Sequence, residues 1–476
     1  MAIGGRRLLL GAGWTYVAHL TPRIVTFFST IVLARILGPE AFGAMGAAMI
    51  ILRYLEPIAD AGAGEGMVQR QGDEEAAADA AFTLSLLVGG ALAALMFLAA
   101  PYAAAFFEQP ELTGIIRVLS PVLLVVAAGS SQDAWYRKNF MFSQRVVPRV
   151  ARSIVRAVVS IALALAGFGV WSLVGGFIAG QVSATLLYWL LSTRRHRLGL
   201  NPDVARSLLG FGLHVSMVTL FGVFVETMDQ VIVARLFDAA LLGIYVLAAM
   251  FPELVVMGIC YAGSQVAFPA FSKMQNHPRL LRNGYLISNR YITLLCFASA
   301  AGLACVAEDF IDLAYSDEWR PAIAVIQVLA LGAAVRSIGF NAGDVFKAKG
   351  NPGVLNLLTA GRLVLVVPLM LVLSPLGLTG VAIGKTLADL IVTGATIWVA
   401  QRMIGFSLRE FFLSLRPPLI GMALVACTCI LVGILGEEAE IWVRLISKVI
   451  CGGMVFAFFL VSQKAHLQMR SAAKRR

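Results

Sequence analysis

The chain has 476 residues, of which 59% are hydrophobic and 14% charged, against roughly 45–50% and about 25% in soluble globular domains. These proportions exclude an ordinary soluble enzyme or binding module and indicate a polytopic membrane protein. The net charge of +11 does not require a nucleic acid, because lysine and arginine gathered on one side of a membrane account for it.

The first element is an apolar helix interrupted by His19 and Arg23. Arg6-Arg7 ahead of it imitates a signal peptide, but the apolar run continues to Pro39 with no small-residue cleavage site, so the helix is expected to be retained. The run Ile31-Val-Leu-Ala-Arg-Ile-Leu-Gly-Pro-Glu-Ala-Phe-Gly43 leads into a second helix carrying Arg53, Glu56 and Asp60. Pro39 and Gly43 are expected to mark a tight reversal between the two. With about 20 apolar residues per crossing, spans are expected near 12–36, 41–62, 78–100, 113–133, 147–168, 170–192, 208–235, 243–267, 282–305, 321–343, 354–374, 378–400, 416–435 and 441–462, about fourteen in all.

The pattern of the first hairpin returns later. Val231 to Gly243 repeats Ile31 to Gly43, with Ala34-Arg35 matched by Ala234-Arg235 and Gly43 by Gly243, while Gly11-Ala-Gly13 finds Gly210-Phe-Gly212 one residue out of step. The expected fold is therefore all-α, with two pseudo-symmetric six-helix bundles and two C-terminal helices. The bundles would span about 1–192 and 208–400, joined by a cytoplasmic linker at about 193–207, with the last helices and a basic tail in about 401–476.

Loop charge supports this layout and puts both termini inside. Inner segments hold Arg6-Arg7, Arg70, Arg137-Lys138 with Arg145, Arg149 and Arg152, Arg194-Arg195-His-Arg197, Lys273 with Arg279, Lys347 and Lys349, Arg402 with Arg409, and Lys474-Arg475-Arg476. Outer segments hold Glu108 and Glu111, Asp238, Glu308 to Glu318, and Glu437 to Glu440. A missed or invented span would invert this alternation. The six cysteines lie in or beside apolar runs without a C-x-x-C pair, as small buried hydrophobes do.

Charges at membrane depth cost roughly 2.5–3.5 kcal/mol each and so face a cavity or a partner. Arg23, Arg53 and Arg336 fall near the middle of their spans, with Lys385, Arg290 and Arg362 nearer an edge. Arg53 with Glu56, and Lys385 with Asp389, have the spacing of pairs on one helix face, and Arg290 and Arg362 are within snorkelling reach of the interface. Arg23, Arg53, Arg336 and Lys385 are the candidate anion-binding residues. The acids at depth are Asp60, Glu226, Asp229 and Glu253; each suits either ion coupling or pairing with a buried arginine. No phosphate-binding loop, dinucleotide fingerprint or zinc-ligand spacing occurs, so no cofactor or metal is expected. An ion gradient, proton or sodium, is the expected drive in place of ATP.

Leu33-Ala-Arg-Ile-Leu-Gly-Pro-Glu-Ala-Phe-Gly43, followed by Asp60-Ala-Gly62 and Val68-Gln-Arg70, resembles the amino-terminal signature of the polysaccharide transporter family. These are the Wzx-type flippases of the multidrug/oligosaccharidyl-lipid/polysaccharide exporter superfamily. Ala61 and Ala63 stand where that family more often has bulkier apolar residues. The resemblance implies a multi-pass protein of the bacterial cytoplasmic membrane with two bundles in a V, like the multidrug exporters of the superfamily. It would carry a polyprenyl-diphosphate-linked oligosaccharide to the outer leaflet for exopolysaccharide, capsule or O-antigen synthesis. Its partners would be that lipid-linked substrate, membrane lipids, and a polysaccharide polymerase with its export machinery. Two other functions fit a chain of this class. A drug/cation antiporter needs a cavity dominated by carboxylates and aromatics, whereas the deep charges here lean positive. An integral-membrane glycosyltransferase or polymerase needs a substantial outer loop, and the longest outer connection, near Glu308 to Arg320, is short.

Overall fold

The computed structural model describes residues 5–192 and 194–473, with side-chain surroundings for 21–141, 143–192 and 194–463. Arg6, Arg7 and the tail Lys474-Arg475-Arg476, all expected on the inner side, lie outside the latter set. The described residues form helices joined by short turns, with no strand among them, as a backbone deprived of water requires. Among the described residues eleven stretches are long and apolar enough to cross a membrane, and two of them, Thr21–Gln69 and Gly353–Ile404, run to 49 and 52 residues. Each is more than twice the roughly 20 residues that one crossing needs.

The chain forms two compact units, Met1–Gly243 and Ile244–Arg476. Unit 1 contains α1 (Gly5–Ala59), α2 (Ala63–Gln69), α3 (Glu74–Phe106), α4 (Leu112–Leu119), α5 (Val122–Lys138), α6 (Phe142–Leu165), α7 (Val170–Leu191) and α8 (Pro202–Leu236). α9 (Ala239–Pro252) leads into unit 2, which continues with α10 (Gly258–Met274), α11 (Pro278–Ala314), α12 (Ala322–Ala348), α13 (Gly353–Leu373), α14 (Gly377–Ile404), α15 (Leu408–Leu435) and α16 (Ile441–Ala473). By sequence repeat α8 opens the second half, yet it packs on α1, α2 and α3. Repetition and compactness thus divide the chain at different places.

The first hairpin turns at Gly38, not between Pro39 and Gly43 as expected. Gly38 has φ 70° and ψ 176°, a backbone suited to glycine, and Pro39 restarts the helix where its missing N–H costs nothing. Gly43 serves a different purpose. A Cβ there would lie 1.6 Å from the Ala239 carbonyl oxygen, and one at Gly243 would lie 2.0 Å from that of Pro39, so the two repeated glycines bring the repeated segments backbone to backbone.

The segment between α7 and α8 is strapped onto the rest of unit 1. Arg194 pairs with Glu75 at 2.6 Å and Asp79 at 3.4 Å, Thr83 and Gly199 exchange two hydrogen bonds, and Asn201 caps α8. His196 is buried, its Nδ1 3.1 Å from Ser131 Oγ, with Phe82, Trp135 and Trp189 edge-on around its ring. Burial lowers its pKa from 6.5 to about 4, with Asp79 opposing the fall and Arg194 adding to it. The folded protein keeps the ring neutral, so between those two values the unfolded chain binds more protons. The stability His196 confers is complete above pH 6.5 and is lost as pH falls from 6.5 toward 4, by about 3 kcal/mol. Thermal unfolding in detergent should show this loss in the native protein, and His196→Gln should remove that part of the pH dependence.

In unit 2, α16 is tied to α11 by an ion triad. Buried Asp309 receives Arg444 Nε at 2.6 Å and Lys448 Nζ at 2.5 Å. Asp309→Asn should cost about 3–5 kcal/mol, because it strands two cations in an apolar setting; an unchanged melting temperature would show the triad to be neutral for stability. The cysteines are free; Cys260, Cys296 and Cys429 are buried, while Cys427, two positions from Cys429 on α15, is exposed.

Candidate functional site

Unit 1 gathers its deep charges around α6. Arg145, Arg149, Arg152 and Arg156 follow one another at intervals of four, three and four residues, which places them on one helix face. At ~1.5 Å per residue the row rises about 16 Å, roughly half of a ~30 Å hydrocarbon core. Small residues on α7 let α6 come close. A Cβ at Gly176 would lie 1.9 Å from Ser160 Oγ, and one at Gly180 would lie 2.8 Å from the Arg152 carbonyl oxygen.

The partners of this row change along it. Arg145 grips Asp133 through one edge of its guanidinium, Nε at 2.6 Å and Nη2 at 2.9 Å. Tyr188 Oη donates to the same carboxylate at 2.9 Å, and Arg137 approaches it at 3.3 Å while also pairing with Glu65. Higher up the contacts are neutral. Arg152 Nη1 donates to Gln181 Oε1 at 3.4 Å, and Arg156 stands 5.2 Å over the Phe177 ring. Gln181 Nε2 in turn donates to Glu56 Oε1 at 3.3 Å, and Arg53 Nη1 donates to Gln230 Oε1 of α8 at 3.4 Å. Arg152, Arg53 and Arg156 all act electrostatically on Glu56. Glu56, Asp133, Arg149, Arg152, Gln181 and Tyr188 line a cavity of about 190 Å³. The inner end of the row is neutralised, whereas its deep end carries a surplus of arginine.

Sequence reasoning counted Arg145, Arg149 and Arg152 among the inner-side charges, with a span expected from about 147, and passed over Arg156; α6 begins earlier, at Phe142, and carries all four. Their 4-3-4 spacing was the signal.

Unit 2 has a second cluster. The helix widens to a π turn at Glu253–Met257, directly after Pro252, a distortion that often accompanies function. Glu253, Arg336, Lys385, Thr386 and Asp389 line a cavity of about 30 Å³, about the volume of one water. Tyr261 Oη donates to Glu253 Oε1 at 3.0 Å. Arg362, expected to snorkel, instead binds buried Asp389 at 2.6 Å, because a carboxylate on the neighbouring helix is within its reach. Arg290 donates to Gln463 at 2.6 Å.

Of the candidate anion-binding residues, Arg336 and Lys385 thus share one cavity with Glu253, and Arg53 joins the α6 group. Arg23 is exposed on α1 and lines neither cavity. Among the remaining acids, Asp60 accepts from Gly62 N at 2.9 Å and so shapes the turn into α2. Asp229 is buried and accepts from Gln230 N, and Glu226 is exposed on α8. Among the described residues no three His, Cys, Asp or Glu are grouped to hold a metal ion.

A sequence profile for a polysaccharide biosynthesis protein family matches residues 32–324. The chain is 24% identical over 420 residues to the lipopolysaccharide biosynthesis protein WzxC of Escherichia coli K12, covering 87% of this chain and 85% of that one. It is also 24% identical over 481 residues to the teichuronic acid biosynthesis protein TuaB of Bacillus subtilis 168, covering 99% and 98%. Among solved structures it resembles the lipid II flippase MurJ in an inward closed conformation, with a TM-score of 0.78 at 15% identity over 96% of this chain and 99% of that one. An inward-facing multidrug resistance MATE family transporter of the MOP superfamily matches at a TM-score of 0.65 and 15% identity, over 83% of this chain and 98% of that one. At such identities the structural likeness establishes the fold.

Proposed function

We propose, from the premise that this chain belongs to the polysaccharide biosynthesis protein family matched over residues 32–324, that it is a flippase for polyprenyl-diphosphate-linked oligosaccharides. It moves repeat units from the cytoplasmic to the outer leaflet for exopolysaccharide, capsule or O-antigen assembly. The observation that carries this reading is the arginine surplus at the deep end of α6, where Arg53, Arg152 and Arg156 act on Glu56 and Arg149 lines the same cavity. A diphosphate is anionic and forked, and guanidinium groups match it in charge and shape. The same surplus disfavours organic cations as cargo.

In this reading both termini face the cytoplasm of a bacterial inner membrane, which the alternation of basic and acidic connections supports. An ion gradient drives the cycle, with Glu253 the foremost of the four candidate acids because it sits at a helix distortion in one cavity with Arg336 and Lys385. A polymerase and the export machinery receive the product. The test is reconstitution into liposomes with a fluorescent polyprenyl-diphosphate oligosaccharide and a membrane-impermeant quencher. Faster loss of protected fluorophore than in empty liposomes is expected; equal rates would refute the flippase reading.

A further inference from the structure

We infer that Glu56 is a resident stand-in for the substrate's phosphate, its carboxylate serving as counter-charge to the unit 1 arginines while the site is empty and taking up a proton when a diphosphate arrives. The inference rests on the proposed function and specifies how its anion site works.

Glu56 lines the same 190 Å³ cavity as Arg149 and Arg152, a volume that accommodates a diphosphate. It is tied to Arg152 only through Gln181, whose amide accepts from the guanidinium and donates to the carboxylate. Both links are long, at 3.4 and 3.3 Å, so an incoming anion breaks weak bonds to reach strong donors. The charged and titratable groups around it are Arg53 on α1, Asp133 on α5, Arg149, Arg152 and Arg156 on α6, and Tyr188 on α7, with Gln230 of α8 on Arg53. Asp133 differs from Glu56 because it is already gripped by Arg145 and Tyr188 and keeps its charge. Arg149 and Arg152, the two arginines that line the cavity with Glu56, balance a doubly charged diphosphate. A third negative charge confined beside it in a poorly solvated cavity is repelled strongly, and one proton on the carboxylate removes that repulsion. Diester phosphates are far stronger acids than a carboxylic acid, so the proton settles on Glu56. It comes from water on the side to which the cavity is open and returns there when the anion leaves; no covalent bond changes except the carboxyl O–H.

The experiment uses the full-length protein in detergent and symmetric dimethyl diphosphate, whose phosphates stay ionised throughout the range studied. Calorimetry in buffers of different ionisation heat should find about one proton taken up per ligand, and affinity rising up to about tenfold for each unit fall in pH. Glu56→Gln imitates the protonated acid; it should bind at least as tightly as the native protein, without proton uptake or pH dependence. Glu56→Asp should restore proton uptake, which guards against a mere folding defect, and Arg152→Gln should weaken binding. Native binding without proton uptake, an unchanged pH slope in Glu56→Gln, or no binding of the diphosphate by native protein would each overturn the inference. The liposome assay judges the flippase reading separately, so the two can fail independently.

Discussion

Replacing Arg152 and Arg156 together by glutamine is expected to lower translocation of the lipid-linked oligosaccharide at least about 100-fold. Each guanidinium would supply charge-assisted hydrogen bonds worth roughly 1.5–3 kcal/mol to a diphosphate, and about 1.4 kcal/mol corresponds to a factor of ten. In the empty protein the two side chains meet only an amide and an aromatic ring, so removing their charge strands no acid other than Glu56. The double variant should therefore fold, and its loss should appear in the liposome assay rather than in thermal unfolding. Arg145→Gln provides the contrast. It takes the two-bond partner from half-buried Asp133 and should lower the melting temperature far more than the double variant does. Equal translocation by native and double-variant protein would remove the α6 row from the substrate path.

Gly62→Val is expected to destabilise the protein by about 2–4 kcal/mol, visible as a lower melting temperature and poorer yield. Gly62 has φ +62°, and a Cβ there would lie 2.1 Å from the Gly212 carbonyl oxygen; one at Gly212 would lie 2.5 Å from that of Gly62. A left-handed backbone costs a non-glycine residue about 1 kcal/mol, and overpacking adds roughly 1–3. Gly72 has φ +83° with nothing within 4 Å of a Cβ, so Gly72→Ala should show the backbone cost alone. If the two variants proved equally stable, the close approach of α8 to the turn before α2 would not contribute.

The glycine pair shows why some features were legible in advance and others were not. Gly11-Ala-Gly13 and Gly210-Phe-Gly212 stood out as repeated sequence, but nothing in the string indicated that Gly212 meets Gly62. The motif Leu37-Gly-Pro-Glu40 announced a turn, while assigning it to Gly38 rather than Gly43 needed the backbone angles. Arg145, Arg149 and Arg152 were visible as basic residues of an inner segment, but three cations within eight residues raise the cost of a helix at membrane depth, and the string did not show what offsets it. In the folded chain Asp133, Gln181 and the Phe177 ring offset that cost from neighbouring helices. The pairing of Arg362 with Asp389 was hidden for the same reason, since its partner lies on another helix.

The sequence by itself determined the membrane class, the helical architecture, the repeated hairpin and the family, because each follows from local composition, spacing or an ordered motif. Only the tertiary structure decided which deep charges act together. A helix buries its backbone polar groups whichever way it is rotated, so the string does not say which side chains face a neighbour. Rotation is set by packing, here by the close seating of α7 glycines against α6. That seating brings Arg152 and Arg156 to the helix that carries Glu56, and leaves Arg23, the most conspicuous cation in the string, outside both cavities.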